Sequence, residues 1–238
     1  MKVLALDSSG LVASVAIVQD DELLGEYTIN HKKTHSQTLL PMLDEVAKMI
    51  ELDMNSIDFI AVSAGPGSFT GLRIGSATAK GLALALDKKI VSVPTIDAMA
   101  YNLWGSDAQI CPIMDARGNP VYTGLYQFED DHMNTILPEC VLMIDEIVSR
   151  INESGKKTVF LGDGVAVFKE YIEGNIKVSY SFAPANNNKQ RASSVAALGI
   201  ELYKAGKAED AKEHKPEYLR LSQAERERQE KVRDFKIC

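Results

Sequence analysis

The sequence predicts an α/β protein built from two lobes. Its 238 residues suffice for two domains of roughly 100–150 residues each. Short apolar runs typical of strands alternate with segments of helical periodicity. A strand–turn–strand unit opens the chain, and a second one begins near Gln109. We therefore place a boundary near Gly105, with an N-terminal lobe over residues 1–104 and a C-terminal lobe over residues 105–238.

The first lobe is predicted to begin with an antiparallel meander. Three strands cover residues 3–7, 12–19 and 22–30, and polar turn residues separate them. The first strand is the most apolar, so we expect it in the centre of the sheet. A helix over residues 34–50 follows, and Pro41 within it indicates a later start or a kink.

A glycine-rich loop joins the next strand, over residues 58–64, to a second helix over residues 72–86. Arg73 and Lys80 are the only charged residues of that helix, and small or apolar residues fill the rest. Because small side chains let backbones approach closely, we expect this helix to be packed on most sides. A strand over residues 89–93 and a short helix over 95–104 complete the lobe.

The second lobe repeats the strand–turn–strand opening. Two strands are predicted over residues 110–115 and 121–128. A helix over 144–152, a strand over 158–161 and a helix that ends at Tyr171 follow. A last helix over residues 192–205 is expected to pack back on the first lobe. The charged tail after Gln223 is typical of a solvated helix or a frayed end.

Composition and charge exclude several classes of protein. The net charge of −7 lacks the basic excess that a protein needs to bind RNA by itself. The three cysteines are far apart and predict neither disulfides nor a zinc ribbon. No apolar run approaches the length of a membrane span, and the N-terminus lacks the core of a secretory signal. We expect a cytoplasmic protein.

The segment GPGSFTGLRIG, residues 65–75, is the most distinctive motif. A glycine-rich loop between a strand and a helix can present backbone N–H groups to an anion. The segment nevertheless lacks the lysine and hydroxyl residue of a phosphate loop and the spacing of a dinucleotide fingerprint. A tight turn with close helix packing is the favoured alternative. The positions that form this signature loop are Gly65, Gly67, Ser68, Thr70 and Gly71.

Two further turns carry candidate phosphate-binding residues. Asp7, Ser8 and Ser9 end the first strand, and Asp115 and Arg117 occupy the matching turn of the second lobe. A carboxylate with two hydroxyls can hold a metal–phosphate group, although such residues are also ordinary in solvated turns.

Neither a metal site nor a catalytic residue is predicted. His31 and His35 are four residues apart, but the glutamate of a metalloprotease motif and a third ligand are missing. No Gly-x-Ser-x-Gly elbow is present.

The first helix has a wider apolar stripe than one core contact requires, which favours a subunit interface formed together with the second helix. The predicted partner-facing residues are Leu39, Met42, Leu43, Val46, Met49, Leu72, Arg73, Ala77 and Lys80.

Four segments resemble the bacterial TsaB family, formerly called YeaZ. They are LALDSS near the N-terminus, SAGPGSFTGLRIG at residues 63–75, DARGNPVY at 115–122 and PEYLR at 216–220. The likeness runs over nearly the whole chain. It implies the two-lobed fold of the actin, sugar-kinase and heat-shock-chaperone ATPase superfamily, with a mixed sheet, an antiparallel meander and flanking helices in each lobe.

The resemblance also implies a function. TsaB-like proteins are non-catalytic partners of the TsaD catalytic subunit, which TsaE, an ATPase, joins. Together they transfer a threonylcarbamoyl group to the adenosine next to the anticodon of tRNAs that read codons beginning with A. The metal motif of TsaD is absent here, since Ala98–Trp104 contains no histidine. The resemblance places the partner interface on the first two helices.

The resemblance implies no intrinsic cofactor, although ATP or ADP could lie at the junction between subunits. Gly162-Asp163-Gly164 is only a minimal counterpart of the superfamily's adenosine-binding loop. The resemblance therefore implies that the turns at Asp7 and Asp115 are remnants of phosphate-binding loops. Three alternatives remain open at this point: an ATP-dependent phosphotransferase or ATPase that uses Asp7 and Asp115, a peptidase, and a homodimer paired through the same helices. Contact with tRNA is expected only through the complex, and no membrane association is expected.

Overall fold

The computed structural model describes residues 1–31, 35–130 and 132–220. The predicted helix start at Thr34 and the charged tail after Gln223 lie outside these ranges. The strands are β1 (Lys2–Asp7), β2 (Val12–Gln19), β3 (Glu22–Asn30), β4 (Phe59–Gly65), β5 (Lys89–Pro94), β6 (Gln109–Asp115), β7 (Pro120–Glu129), β8 (His132–Met143), β9 (Thr158–Leu161), β10 (Tyr180–Phe182) and β11 (Ala208–Glu209). The α-helices are α1 (His35–Met49), α2 (Phe69–Leu86), α3 (Thr95–Ala100), α4 (Ile144–Ser154), α5 (Gly164–Asn175) and α6 (Ala192–Lys204).

The first sheet has the strand order β11-β5-β4-β1-β2-β3. Strands β1, β2 and β3 pair antiparallel in sequence, which confirms the predicted meander. Strand β1 also pairs parallel with β4, so it lies in the interior of the sheet as expected. The carboxyl ends of β1 and β4 therefore lie at the same edge, and this edge carries both Asp7 and the glycine-rich segment.

The second sheet repeats the order of the first. Its strands run β10-β9-β6-β7-β8, with β6 and β9 parallel and β6, β7 and β8 antiparallel. Counted from the first strand of each lobe, β1–β5 and β6–β10 lie in the same order, 5-4-1-2-3, and β11 adds a sixth strand to the first sheet. This duplication confirms the predicted two-lobed, actin-like α/β fold. Strand β8 is the main element that the sequence analysis missed.

Helices cover both faces of the first sheet. Helices α1 and α2 pack on one face around a core that includes Leu4, Val15 and Ile60. On the other face α6 packs against Val3, Phe59 and neighbouring residues of β1, β4 and β5. Helices α4 and α5 cover one face of the second sheet. Within the described ranges, no helix is long and apolar enough to cross a membrane.

Helix α6 reaches the first sheet after the chain has completed the second. Glu26 of β3 binds the first turn of α6. Its Oε1 atom accepts hydrogen bonds from the Ser193 N–H at 3.1 Å and from the Ser193 hydroxyl at 2.8 Å. The other oxygen of Glu26 pairs with the Arg191 guanidinium. A carboxylate at this position also favours the helix dipole. The boundary near Gly105 stays a prediction. Two elements that follow this position belong to the first sheet: β11 pairs with β5, and α6 packs on one face.

Helix α3 joins the two sheets through a group of acidic residues. The Tyr126 hydroxyl on β7 donates a hydrogen bond to Asp97 of α3 at 2.5 Å. Glu139 on β8 lies close to the same helix and accepts a hydrogen bond from the Ile96 N–H. Burial, reinforced by the negative charges of Asp97 and Glu217, raises the pKa of Glu139 to about 8. This carboxyl therefore retains a proton at neutral pH.

The raised pKa of Glu139 predicts a pH-dependent stability. Between the ordinary glutamate pKa of 4.5 and about 8, the folded protein holds a proton that the unfolded chain releases, so stability falls as pH rises through this window. Glu139→Gln removes that loss. A pKa difference of one unit between the folded and unfolded states corresponds to about 1.4 kcal/mol, so urea unfolding should show the variant gaining about 4 kcal/mol over the parent between pH 5 and pH 8.5. Glu170→Gln, at an exposed position of α5, is the control. An equal difference at both pH values would contradict the prediction.

Candidate functional site: the glycine-rich segment and the face of α2

Asp7 lies at the end of β1 and is almost fully buried. Its Oδ1 atom accepts hydrogen bonds from the Ser9 N–H at 2.9 Å and the Ser9 hydroxyl at 2.7 Å. Its Oδ2 atom accepts one from the Ser63 hydroxyl at 2.5 Å. Burial raises the pKa of Asp7, and these hydrogen bonds partly oppose it. The carboxyl group thus fixes the turn after β1 and ties it to β4.

The glycine-rich segment, residues 65–75, packs directly onto this turn. A Cβ atom at Gly67 would lie 2.3 Å from the Ser9 carbonyl oxygen, and one at Gly71 would lie 2.0 Å from the Ser8 carbonyl oxygen. Gly75 faces the Ser8 hydroxyl in the same way, at 2.4 Å. All three distances are too short for any side chain. Close packing between the start of α2 and the turn after β1 accounts for these three glycines.

Hydrogen bonds reinforce the same contact. The Ser68 N–H donates to the Ser9 carbonyl at 2.6 Å, and the Ser8 hydroxyl donates to the Gly71 carbonyl at 2.9 Å. The Ser68 hydroxyl accepts from the Gly71 N–H at 3.3 Å and is the N-cap of α2. Helix α2 therefore begins at Phe69 and not at Leu72 as predicted. Ser68 was predicted to be a loop residue and not the cap of the helix.

The second lobe has the equivalent arrangement. Asp115 ends β6, and its Oδ1 atom accepts a hydrogen bond from the Arg117 N–H at 2.7 Å. A Cβ atom at Gly162, before α5, would lie 2.1 Å from the Ile113 carbonyl oxygen. Gly164 is similarly close to Ile113. The two predicted aspartate turns thus occupy matching positions, each packed by glycines at the start of a helix.

The structure corrects the placement of the predicted interface on α1. Leu39, Met42, Leu43 and Val46 are all less than 10% exposed, and α1 uses them to pack on β2, β3 and α2. Leu72 of α2 is also buried. These five side chains belong to the core of the chain, so a charged residue at Leu43 or Val46 would disturb the fold itself. The wide apolar stripe is needed because α1 contacts both a sheet and a helix.

The other predicted interface residues remain near the surface. Met49 at the end of α1 is 82% exposed, and Arg73 and Ala77 of α2 are exposed. Lys80 is half-buried, and its ammonium group donates to the carbonyl oxygens of Lys212 at 3.3 Å and His214 at 2.9 Å. Lys80 therefore holds a segment of this chain.

Helix α2 presents one continuous exposed face. Residues at a spacing of three or four form it, and we call it the α2 face: Thr70, Arg73, Ala77, Gly81 and Leu84. A Cβ atom at Gly81 would meet nothing within 4 Å, so the middle of this face is flat and open. Leu40 on α1 is 52% exposed.

A late segment of the chain, residues 210–220, supports one end of the α2 face. The Tyr218 ring stacks on Phe69 with centroids 3.9 Å apart, and its hydroxyl accepts a hydrogen bond from Arg73 Nε at 3.2 Å. The Glu217 N–H donates to the Ala64 carbonyl at 2.7 Å. Tyr218 belongs to the PEYLR segment, but nothing in the sequence pattern indicated that it lies beside α2.

A serine, a histidine and a carboxylate meet where this segment crosses β5. The Ser92 hydroxyl donates to the Glu209 carboxylate at 2.5 Å, and His214 Nδ1 lies 2.9 Å from both. A catalytic triad needs the serine and the carboxylate on opposite nitrogens of the imidazole. Here both partners share Nδ1, and Nε2 is buried without a partner. The geometry does not activate Ser92 as a nucleophile.

The two histidines considered as metal ligands lie in different surroundings. His31 is exposed, whereas His35 lies 2.8 Å from the Gly10 carbonyl oxygen through Nε2. In the described part of the chain, no three side chains of His, Cys, Asp or Glu converge as metal ligands would.

Comparisons with known proteins point to the enzymes and proteins of tRNA threonylcarbamoyladenosine biosynthesis. The model of the TsaD family, tRNA N6-adenosine threonylcarbamoyltransferase, matches residues 22–228. The tRNA threonylcarbamoyladenosine biosynthesis protein TsaB of Bacillus subtilis is 33% identical over 94% of this chain and 96% of its own. TsaB of Escherichia coli is 29% identical over 69% and 72%. The structure of YeaZ from Pseudomonas aeruginosa superposes with a TM-score of 0.78 at 25% identity, covering 92% of this chain and 99% of that one.

Proposed function

Because this chain belongs to the TsaB (YeaZ) family, we propose that it serves in the biosynthesis of tRNA threonylcarbamoyladenosine as a non-catalytic partner of a TsaD-like subunit. In this role the chain binds and stabilises the active arrangement of the catalytic subunit. A TsaE-like ATPase joins the pair. The tRNA is held by the complex, which agrees with the net charge of −7 on this chain. The tRNA modification takes place in the cytoplasm.

The α2 face is the observation that carries the proposal. It combines small residues, Ala77 and Gly81, with Arg73 and Leu84. Small residues in the middle of a helix let a partner helix approach closely, and arginine is enriched among the residues that dominate interface binding energy. Together with Leu40 and nearby exposed parts of α1, this face could supply the roughly 800 Å² per partner of a standard specific interface.

The contacts of the glycine-rich segment indicate that its role is structural. Its glycines and the Ser68 N–H contact the turn at Ser8 and Ser9. The segment thereby fixes where α2 begins and how its outer face is oriented. We propose that the chain needs the motif to present α2 to its partner.

Nucleotide belongs to the complex in this proposal, not to the isolated chain. Asp7 already accepts three hydrogen bonds from Ser9 and Ser63, and Gly162 and Gly164 are packed against Ile113. ATP or ADP is proposed to lie at the junction with the partner subunit. The rival assignment, an ATP-dependent phosphotransferase that uses Asp7 and Asp115, requires the isolated chain to turn over ATP.

The test is in-vitro threonylcarbamoylation of tRNA by TsaD and TsaE, with and without this chain. We expect product only when the chain is present. The chain alone should neither hydrolyse ATP nor retain tRNA. If the product forms equally well without the chain, the proposed role is wrong. If the isolated chain hydrolyses ATP and Asp7→Ala abolishes the activity, the phosphotransferase assignment replaces it.

Self-association requires a separate measurement because a homodimer would use the same helices. Sedimentation of the chain alone and of the chain mixed with the TsaD-like subunit distinguishes the two. We expect the catalytic subunit to displace any homodimer. A homodimer that persists at equimolar catalytic subunit would favour the homodimer as the functional state.

A further inference from the structure

A cavity of about 300 Å³ lies at the β11 edge of the first sheet. Strand β11 pairs with β5 there, and the 210–220 segment closes one side. Pro94 and Leu202 supply the apolar part of the wall. The remaining lining residues are Ser92, Lys207, Glu209, Lys215 and Glu217. The volume is large enough for a small metabolite.

The charged groups of the cavity are not paired with one another. Among the described residues, the side chains of Lys207, Lys215 and Glu217 have no hydrogen bond or ion pair. Glu209 differs, because its Oε1 atom already accepts from Ser92 and faces His214. Two ammonium groups and one carboxylate therefore remain available to a ligand.

The arrangement of these charges favours a ligand with two opposite ends. An anion alone would meet the carboxylates of Glu209 and Glu217, and a cation alone would meet the two lysines. A molecule with both charges can place each end against its complement. A cation beside Glu217 would also offset the repulsion between Glu217 and Glu139.

Unused hydrogen-bonding capacity lies beside the cavity wall. His214 is 2% exposed, it contacts the lining residues Ser92 and Glu209, and its Nε2 atom has no partner. Thr95 follows the lining residue Pro94 and is fully buried, and its hydroxyl also has no partner. Buried polar groups in proteins are normally paired. His214 and Thr95 lie behind the lining residues, and His214 Nδ1 fixes two of them, Ser92 and Glu209, in the wall.

We propose that this cavity binds a small zwitterion of the α-amino-acid class. Lys207 and Lys215 hold its carboxylate, Glu217 holds its ammonium group, and its side chain contacts Pro94 and Leu202. The site is distinct from the proposed partner surface, because none of its lining residues belongs to the α2 face.

An NMR titration of the full chain with L-alanine and two matched compounds tests the site. Propionate is alanine without its ammonium group, and ethylamine is alanine without its carboxylate. We expect alanine to bind saturably and to shift the amide signals of residues 92–95 and 207–217. Propionate and ethylamine should each bind at least about tenfold more weakly.

Variants assign the binding to these side chains. Lys215→Gln and Glu217→Gln should each weaken alanine binding about tenfold. Lys212→Gln, an exposed lysine of the same segment outside the lining, is the control and should bind as the parent does. Thermal unfolding of each variant checks that the fold is intact.

Three outcomes would overturn the proposal. Absence of a saturable shift means that the cavity is not a site for this class. Equal binding of propionate shows a simple anion site, and equal binding of ethylamine shows an acidic patch. None of these results bears on the tRNA modification assay, so the two proposals fail or stand separately.

Discussion

Gly71→Ala is expected to lower the free energy of unfolding by about 3 kcal/mol. The added Cβ atom would lie 2.0 Å from the Ser8 carbonyl oxygen. That oxygen cannot move easily, because the turn that carries it is fixed by the hydrogen bonds of Asp7 to Ser9 and Ser63. The start of α2 would have to shift away from β1. Urea unfolding followed by circular dichroism measures the loss.

Gly81→Ala is the matched control because it places the same methyl group in the same helix. A Cβ atom at Gly81 meets nothing within 4 Å. Alanine favours an exposed helix interior by about 1 kcal/mol over glycine. The two substitutions should therefore change stability in opposite directions. Equal effects would show that the contact between α2 and the turn after β1 is looser than the structure describes.

Ala77→Arg is expected to weaken binding of the TsaD-like subunit about a hundredfold while the isolated chain stays folded. Ala77 lies in the middle of the α2 face, where a long charged side chain prevents close approach of a partner helix. Because the position is exposed and arginine favours helices, the stability of the isolated chain should change by less than about 0.5 kcal/mol. Calorimetric titration with the catalytic subunit gives the affinity.

Ala197→Arg on α6 is the control that shows whether a loss of affinity comes from the α2 face itself or from adding a positive charge anywhere on the chain. Ala197 is also an exposed helical alanine, but it lies on the opposite side of the first sheet. The control variant should bind and support tRNA modification as the parent does. Unchanged affinity of Ala77→Arg would remove the interface from the middle of the α2 face. A comparable loss in both variants would mean that added positive charge alone disturbs the complex.

Much of the fold was predictable from local patterns. The bounds of β2 and β3 agree with the prediction, because tight polar turns delimit the strands on both sides. Strand β8 was missed because exposed polar residues and Pro138 interrupt its apolar pattern. Strands β10 and β11 have only three and two residues, and they form because neighbouring strands offer them a free edge.

The candidate site was predictable only in part. Periodicity identified α1 and α2 as neighbouring apolar helices. It could not distinguish apolar residues that pack in the core of this chain from those that stay exposed for a partner. Leu43 and Val46 are covered by their own sheet, whereas Leu40 stays exposed one position from a buried neighbour. Tyr218 reaches Phe69 across 149 positions of sequence, a contact that only the tertiary fold creates.

The return of α6 to the first sheet has a consequence for synthesis of the protein. One face of β1 and β4 is covered by residues 192–200, which leave the ribosome only after every strand of the second sheet. At roughly 5–20 residues per second, about 5–20 seconds separate the emergence of α3 from that of α6. During this interval an apolar surface that includes Val3 and Phe59 is exposed on the nascent chain. The growing polypeptide is therefore a natural client of chaperones that bind apolar segments near the ribosomal exit.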